Sequence, residues 1–174
     1  MAEDLRVATA FRFRITLSQS PSPAGSGAPG GAGGPLADGG FQECTGLDLE
    51  MDIAEYVEGG RNNGVIQRAG RLKLARLTLR RGMLHPADGR VRTELWQWFQ
   101  DVVDGVRPIR RYDGSIELLG TPRTPQAEPA VLARWTFSRG LPARIVGPQL
   151  NARTGEIAVE ELQIAHENLR LEVS

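Results

Sequence analysis

Apolar and polar side chains alternate with a period of two along several segments of this chain, a pattern typical of β-strands with one buried face. The first segment carries its apolar residues at Phe11, Phe13, Ile15 and Leu17. A second carries them at Leu47, Leu49, Met51 and Ile53. Further strands are predicted at Gly114–Leu119, Val131–Ser138 and Leu169–Val173. The alternation predicts a mainly β fold in which these apolar faces point inward.

The alternation changes phase at three places, around Ala54–Glu55, Ala75–Arg76 and Glu160–Glu161. A one-residue slip that keeps apolar side chains on the same face is typical of a β-bulge. Bulges bend a sheet and favour its closure into a barrel. We therefore expect bulged, strongly curved strands.

One stretch instead has helical spacing. Its apolar residues fall on one face of a helix and are Val91, Leu95, Trp98, Phe99, Val102 and Val103. Asp88-Gly89 is the predicted start and Gly105 the predicted end. Together with the strands, this helix predicts a small β-barrel or two-sheet sandwich with one flanking α-helix.

A segment rich in Pro, Gly, Ser and Ala runs from Ser20 to Gly40. It contains too few apolar residues to offset its ordering entropy, which predicts a flexible loop. Strand-like sequence flanks it on both sides, so it reads as an insertion between two strands. The length of 174 residues suits one compact domain, and we expect a single domain over 1–174 with a flexible insertion at 20–40.

Charge is segregated along the chain although the formal net charge is +0. Seven acids and no bases lie between Asp38 and Glu58, whereas seven bases and no acids lie between Arg61 and Arg81. If these segments pair as a hairpin, cross-strand ion pairs follow. Alternatively, some charges near the hairpin tip meet a neighbouring copy and fix its orientation. The sequence leaves both interpretations open.

The bulk properties argue against several classes of protein. Zero net charge favours neither nucleic acid nor an anionic membrane, and no apolar run reaches the roughly 20 residues that span a bilayer. The first residues carry acids and no continuous apolar stretch, so we expect no signal peptide and synthesis in the cytoplasm. Cys44 is the single cysteine, which excludes an intrachain disulfide.

Residues with catalytic potential are few. His85 and His166 match no metal-ligand spacing, and Cys44 has no adjacent histidine to activate it. The glycine-rich stretch Glu58–Gly64 lacks the Lys-Ser/Thr of a phosphate-binding loop and reads as a hairpin tip. Trp98 and Trp135 lie on apolar faces, which favours core packing over a ligand platform. We therefore predict no enzymatic activity, no metal and no cofactor.

Several local motifs occur in the same order as in a known family. These motifs are Tyr56–Asn63 (YVEGGRNN), Leu77–Gly82 (LTLRRG), Leu95–Phe99 (LWQWF), Ala133–Phe137 (ARWTF), Gly147–Asn151 (GPQLN) and Val159–Leu169 (VEELQIAHENL). They resemble the tail tube proteins of contractile phages and extracellular contractile injection systems. The resemblance covers roughly 11–18 and 41–173. The chain departs from the family pattern at Arg68-Ala69-Gly70, where Leu-Pro-Gly is frequent, and at Asn168, where Gly is frequent.

The resemblance implies a structural subunit that forms hexameric rings, which stack into a hollow tube. Implied partners are further copies of the chain, a sheath protein, baseplate or spike proteins and cargo in the lumen, without specificity for nucleic acid. The particle would act outside the producing cell. Alternatives are a tube-initiating or baseplate-adaptor paralogue and, more distantly, a ligand-binding β-barrel. Predicted subunit-interface residues form the hairpin tip and are Glu55, Tyr56, Glu58, Gly59, Gly60, Arg61, Asn62 and Asn63.

Overall fold

The computed structural model describes residues 7–21, 36–38, 40–60, 64–85, 89, 91–122, 124, 126–153 and 155–172. Its elements are β1 (Phe13–Gln19), β2 (Ala37–Asp38), β3 (Phe41–Thr45), β4 (Leu49–Tyr56), β5 (Ile66–Leu74), β6 (Leu77–Gly82), α1 (Glu94–Val103), β7 (Tyr112–Leu119), β8 (Val131–Val146) and β9 (Val159–Glu172). Among the described residues, no helix has the length and apolar character needed to cross a membrane.

Seven strands form one antiparallel sheet in the order β2-β1-β7-β8-β9-β6-β3, and β4 pairs with β5 in a separate two-stranded ribbon. The large sheet curls into a half-barrel. The predicted mainly β fold with one flanking helix is confirmed. Of the predicted insertion, Ala37–Asp38 pairs with Leu17 and Thr16 of β1, whereas residues 22–35 and 39 lie outside the described residues.

The core lies between the concave sheet and α1. Ile15 and Leu17 of β1 are fully buried, as their alternation predicts, whereas Phe11 precedes the strand and is 68% exposed. Trp98 of α1 packs edge-on against Tyr112, with the ring centroids 4.7 Å apart. The other core residues are Leu77, Leu79, Leu95, Ile116, Phe137, Leu162, Ile164 and Leu169. Side chains from the strands and from α1 thus fill the concave side of the sheet.

The helix is shorter than predicted. It begins at Glu94 and not near Gly89, because the Arg92 amide donates to the Leu84 carbonyl (2.9 Å) and keeps the preceding residues outside the helix. Asp88, the other half of the predicted start, lies outside the described residues. The predicted end is confirmed, since Gly105 adopts a positive φ of 73° and its amide donates to the Val102 carbonyl.

Strands β8 and β9 are much longer than the segments predicted for them. Both contain a residue in the left-handed region, Arg139 (φ 54°) in β8 and Asn168 (φ 55°) in β9. The pairing register shifts beside them, between Thr136 and Ser138 and again before Leu141. Paired irregularities of this kind bend both strands and produce the curl of the sheet.

The left-handed backbone at position 168 (φ 55°) suits the Asn that the chain has there. Asn tolerates this region better than other side chains do. We expect Asn168→Gly to leave the free energy of unfolding nearly unchanged and Asn168→Val to lower it by roughly 1–2 kcal/mol. Urea unfolding followed by circular dichroism tests this, with Arg170→Val as the control on the same strand. Equal losses for Asn168→Val and Arg170→Val would contradict the explanation.

The three predicted bulges have different outcomes. The first is wrong for β4, which pairs with β5 without interruption from Ile53 to Tyr56; a register shift lies instead between Met51 and Ile53, with the extra residue in β5. The second, at Ala75–Arg76, is the break between β5 and β6. The third is wrong, because β9 keeps its alternation through Glu160, Leu162 and Ile164, which are all buried. An acidic residue therefore occupies an inward position.

Candidate assembly surface

The β4–β5 ribbon stands apart from the sheet and is exposed along its length. Every residue of β4 is exposed, and in β5 only Ile66 and Leu74 at its ends are partly buried. An isolated two-stranded hairpin is only marginally stable in water. An exposed ribbon of this length is therefore a candidate for contact with another molecule.

One face of the ribbon is apolar. Across the ribbon, Leu49 pairs with Leu74, Met51 with Leu72, and Ile53 with Ala69. The ribbon apolar face, as we call it, consists of Leu49 (59% exposed), Met51 (47%), Ile53 (56%) and Leu72 (52%). The prediction that Leu49, Met51 and Ile53 point into this chain's core is wrong, because the core is already filled by the sheet and α1.

The opposite face of the ribbon is charged, and two of its basic side chains have partners within the chain. Lys73 Nζ lies 2.6 Å from Asp52 Oδ1, and the Arg68 guanidinium lies 4.5 Å from the Tyr56 ring centroid. In the sheet, Arg80 contacts Glu43 (3.1 Å) and Glu161 (3.8 Å). The cross-strand interpretation of the charge segregation thus holds for these residues. Exposed pairs of this kind contribute about 1 kcal/mol or less.

The predicted interface residues cluster at the ribbon tip. Glu55 pairs with Gln67 and Tyr56 with Ile66, and Gly60 adopts a positive φ of 91° in the turn. Five of the eight are exposed in this one place: Glu55, Tyr56, Glu58, Gly59 and Gly60. The other three, Arg61, Asn62 and Asn63, lie outside the described residues. The sequence prediction omitted the ribbon apolar face, although the alternation of β4 signals it.

Two contacts hold the base of the ribbon against the sheet. Gly46, in the β3–β4 turn, adopts a positive φ of 88° and packs against the backbone of Arg76. His166 of β9 donates from Nε2 to the Ala75 carbonyl (3.0 Å) and contacts the Phe137 ring. His166 Nδ1 is buried and has no hydrogen-bond partner among the described residues. Ala75 and Arg76 join β5 to β6, so both contacts fix the angle at which the ribbon leaves the sheet.

Burial lowers the pKa of His166, while its hydrogen bond to the Ala75 carbonyl opposes that shift. The folded state therefore favours the neutral ring, and the unfolded chain binds more protons below its ordinary pKa of about 6.5. We expect the free energy of unfolding to fall as pH drops from 7.5 through 6.5, and to level off below the folded pKa. Unfolding curves between pH 5 and 7.5 test this. His166→Gln should flatten the profile; an unchanged slope in that variant would contradict the assignment.

A buried ion pair joins three elements beneath the sheet. Arg81 Nε of β6 donates to Glu160 Oε1 of β9 at 2.6 Å, and Trp96 Nε1 of α1 donates to Glu160 Oε2 at 2.8 Å. Arg81 is 4% exposed and Glu160 1%. Glu161 points to the other face of β9, so the two adjacent acids do not form an acid–base pair.

The cysteine and the tryptophans considered in the sequence analysis are packed in or against the core. Cys44 is partly buried in β3, and burial raises the pKa of its thiol to about 11, which disfavours the nucleophilic thiolate. Trp98 is buried and Trp135 packs against the core, as predicted. The described residues include no group of three His, Cys, Asp or Glu placed to hold a metal ion.

A hollow of about 490 Å³ lies on the outer face of the sheet, across β1, β7, β8 and β9. Hydroxyl side chains line it, among them Thr16, Ser115 and Thr136. A ligand-binding barrel needs an enclosed, mainly apolar pocket. The polar, open lining of this hollow does not favour that alternative.

Comparisons with known proteins give a consistent result. Residues 9–170 match the model of the T4-like virus tail tube protein gp19 family. A chain from the anti-feeding prophage (AFP) baseplate is 21% identical, with 97% of each chain covered and a TM-score of 0.71. A chain from the sheath–tube complex of an extracellular contractile injection system, PVC, is 21% identical, with 97% of this chain and 93% of that chain covered and a TM-score of 0.70. No match is found among curated protein sequences. At these identities the solved structures establish a shared fold.

Proposed function

The chain belongs to the T4-like virus tail tube protein gp19 family, and from this premise we propose that it is a structural subunit of the inner tube of a contractile injection system. In this proposal, copies assemble into hexameric rings, and the rings stack into a hollow conduit. The observation that carries the proposal is the ribbon apolar face, which is exposed although the subunit's own core is filled. Apolar surface of this kind marks a site of protein contact.

The energetics favour an assembly with several contacts per subunit. The four side chains of the ribbon apolar face are about half exposed, so covering them contributes roughly 3–6 kcal/mol. The loss of translational and rotational freedom on association costs about 4–15 kcal/mol. One ribbon contact alone therefore gives weak pairing. A closed ring, in which every copy makes two such contacts and neighbouring rings add more, offsets the cost.

We propose that a sheath protein and baseplate or spike proteins are further partners and that the lumen holds cargo. The similar solved chains come from structures described as a sheath–tube complex, a baseplate and a tube-terminating cap. A tube-initiating or baseplate-adaptor role is the second candidate, because the baseplate chain is as similar to this protein as the sheath–tube chain. Immunogold labelling of particles separates the two roles: a tube subunit labels the full length, and an adaptor labels one end.

The experiment that tests the proposed function is negative-stain electron microscopy combined with sedimentation velocity on the purified protein. We expect rings or tubes for the wild type and monomers for Ile53→Asp. The matched control is Ala54→Asp, the next residue of β4, which is exposed on the opposite face of the ribbon; it should still assemble. Both variants should unfold within about 0.5 kcal/mol of the wild type. A monomeric wild type, or normal assembly of Ile53→Asp, would overturn the proposal.

A further inference from the structure

A second group of exposed apolar side chains lies far from the ribbon. This end patch consists of Leu84 (44% exposed), Leu150 (88%) and Ile157 (79%). The Met83 amide donates to the Ala158 carbonyl (2.8 Å), which places Leu84 and Ile157 beside each other. A hollow of about 440 Å³ adjoins them, and Leu150, Ala152 and Ala158 supply its apolar lining.

The ribbon and the end patch lie at opposite ends of the β6–β9 strand pair. The ribbon joins the sheet at Leu77, the first residue of β6, which pairs with Ile164. The end patch follows Gly82, the last residue of β6, which pairs with Val159. Strand β6 alone separates the two ends by roughly 17 Å at about 3.3 Å per residue. The two groups are therefore separate surfaces at opposite ends of this strand pair.

We propose that the ribbon apolar face of one copy docks on the end patch of the next copy, in head-to-tail order. This inference rests on the proposed self-assembly and names the two surfaces that meet. Each copy carries both halves of the contact at opposite ends, so every docking leaves a free ribbon and a free end patch for further copies. Such a heterologous contact extends into rings or stacks. A two-fold dimer through the ribbon would instead leave the end patch exposed.

Charges beside the two surfaces favour a second copy as the occupant. Glu55 follows Ile53 on the same face of the ribbon, and Glu58 lies nearer the tip. On the other surface, the exposed Arg92 is hydrogen-bonded through its backbone to Leu84, and the exposed Arg153 lies in the loop that carries Leu150. Arg68 lies on the opposite face of the ribbon, against the Tyr56 ring, whereas an acid, Glu156, also lines the hollow of the end patch. The acids of one copy thus face arginines of the next.

Cysteine cross-linking in assembled protein tests the docking directly. The double variant Ile53→Cys/Leu150→Cys should give a ladder of disulfide-linked oligomers on non-reducing gels, while each single variant stays monomeric. The control pair Ala54→Cys/Leu150→Cys should give no ladder. Cys44 is partly buried with a raised thiol pKa, so it should not contribute. Dimers of the Ile53→Cys single variant, or intact tubes of the double variant without a ladder, would overturn the proposal.

A charge exchange provides an independent test if cysteines at the contact impair assembly. Glu58→Arg and Arg153→Glu should each lower the polymerised fraction about threefold or more, because an exposed contact pair is lost in every repeat. Combining them should restore most of it. A double variant no better than the worse single variant would overturn the docking. A wild type that forms no rings or tubes would instead overturn the proposed function itself.

Discussion

Glu160→Ala should lower the free energy of unfolding by about 3–5 kcal/mol, a large fraction of the stability of a domain this size. The substitution leaves the Arg81 guanidinium, which is 4% exposed, without the carboxylate that neutralises it. It also removes the acceptor for Trp96 Nε1, which ties α1 to the sheet. The unpaired buried charge carries a large desolvation penalty, and the partly buried Trp96 donor adds a smaller one.

The neighbouring acid is the matched control for this prediction. Glu161 lies on the other face of β9, and its contact with Arg80 is 3.8 Å long and partly exposed, so Glu161→Ala should cost less than about 1 kcal/mol. The double variant Glu160→Leu/Arg81→Met removes both charges and should recover the part of the loss that is due to the unpaired Arg81, although Trp96 Nε1 still lacks its acceptor. Urea unfolding monitored by circular dichroism gives all three values. Equal losses for Glu160→Ala and Glu161→Ala would show that the buried pair has no special role.

The same ion pair shows why part of the fold was not predictable from the sequence. Periodicity correctly placed Ile15, Leu17, Leu95 and Trp98 in the core, because these positions follow from local spacing alone. It failed at Glu160, where an acid interrupts an apolar pattern and a bulge was the simplest explanation. The acid is buried because Arg81, 79 positions away, neutralises it. Such pairing depends on tertiary contacts that no local pattern reports.

The assembly surface was predicted only in part, for a related reason. Alternation in β4 indicates that one face must be covered, but it does not say whether the covering surface belongs to the same chain. Leu49, Met51 and Ile53 were therefore assigned to this subunit's core, although they are exposed in it. The charge pattern had the opposite outcome, since Lys73 and Asp52 pair across the ribbon as the hairpin interpretation predicted. The interface role of all eight predicted tip residues, the exposed ones as well as Arg61–Asn63, stays a prediction.

Gly46→Ala should disturb the base of the ribbon strongly. A Cβ at this position would lie 2.1 Å from the Arg76 carbonyl oxygen and 2.9 Å from its carbon, and backbone atoms cannot rotate away as a side chain does. The positive φ of 88° adds a further cost of roughly 1–2 kcal/mol for a residue with a Cβ. We expect the free energy of unfolding to fall by at least about 2 kcal/mol.

The consequence for assembly follows from where Gly46 sits. Relief of the clash requires the β3–β4 turn to move away from Arg76, which re-aims the ribbon relative to the sheet. A ribbon at a different angle no longer presents Met51 and Ile53 to a neighbour, so rings or tubes should be lost even below the unfolding temperature. Gly59→Ala is the control, because a Cβ there meets no atom within 4 Å, and it should retain both stability and assembly. Normal tubes from Gly46→Ala in electron micrographs would show that the ribbon angle does not govern assembly.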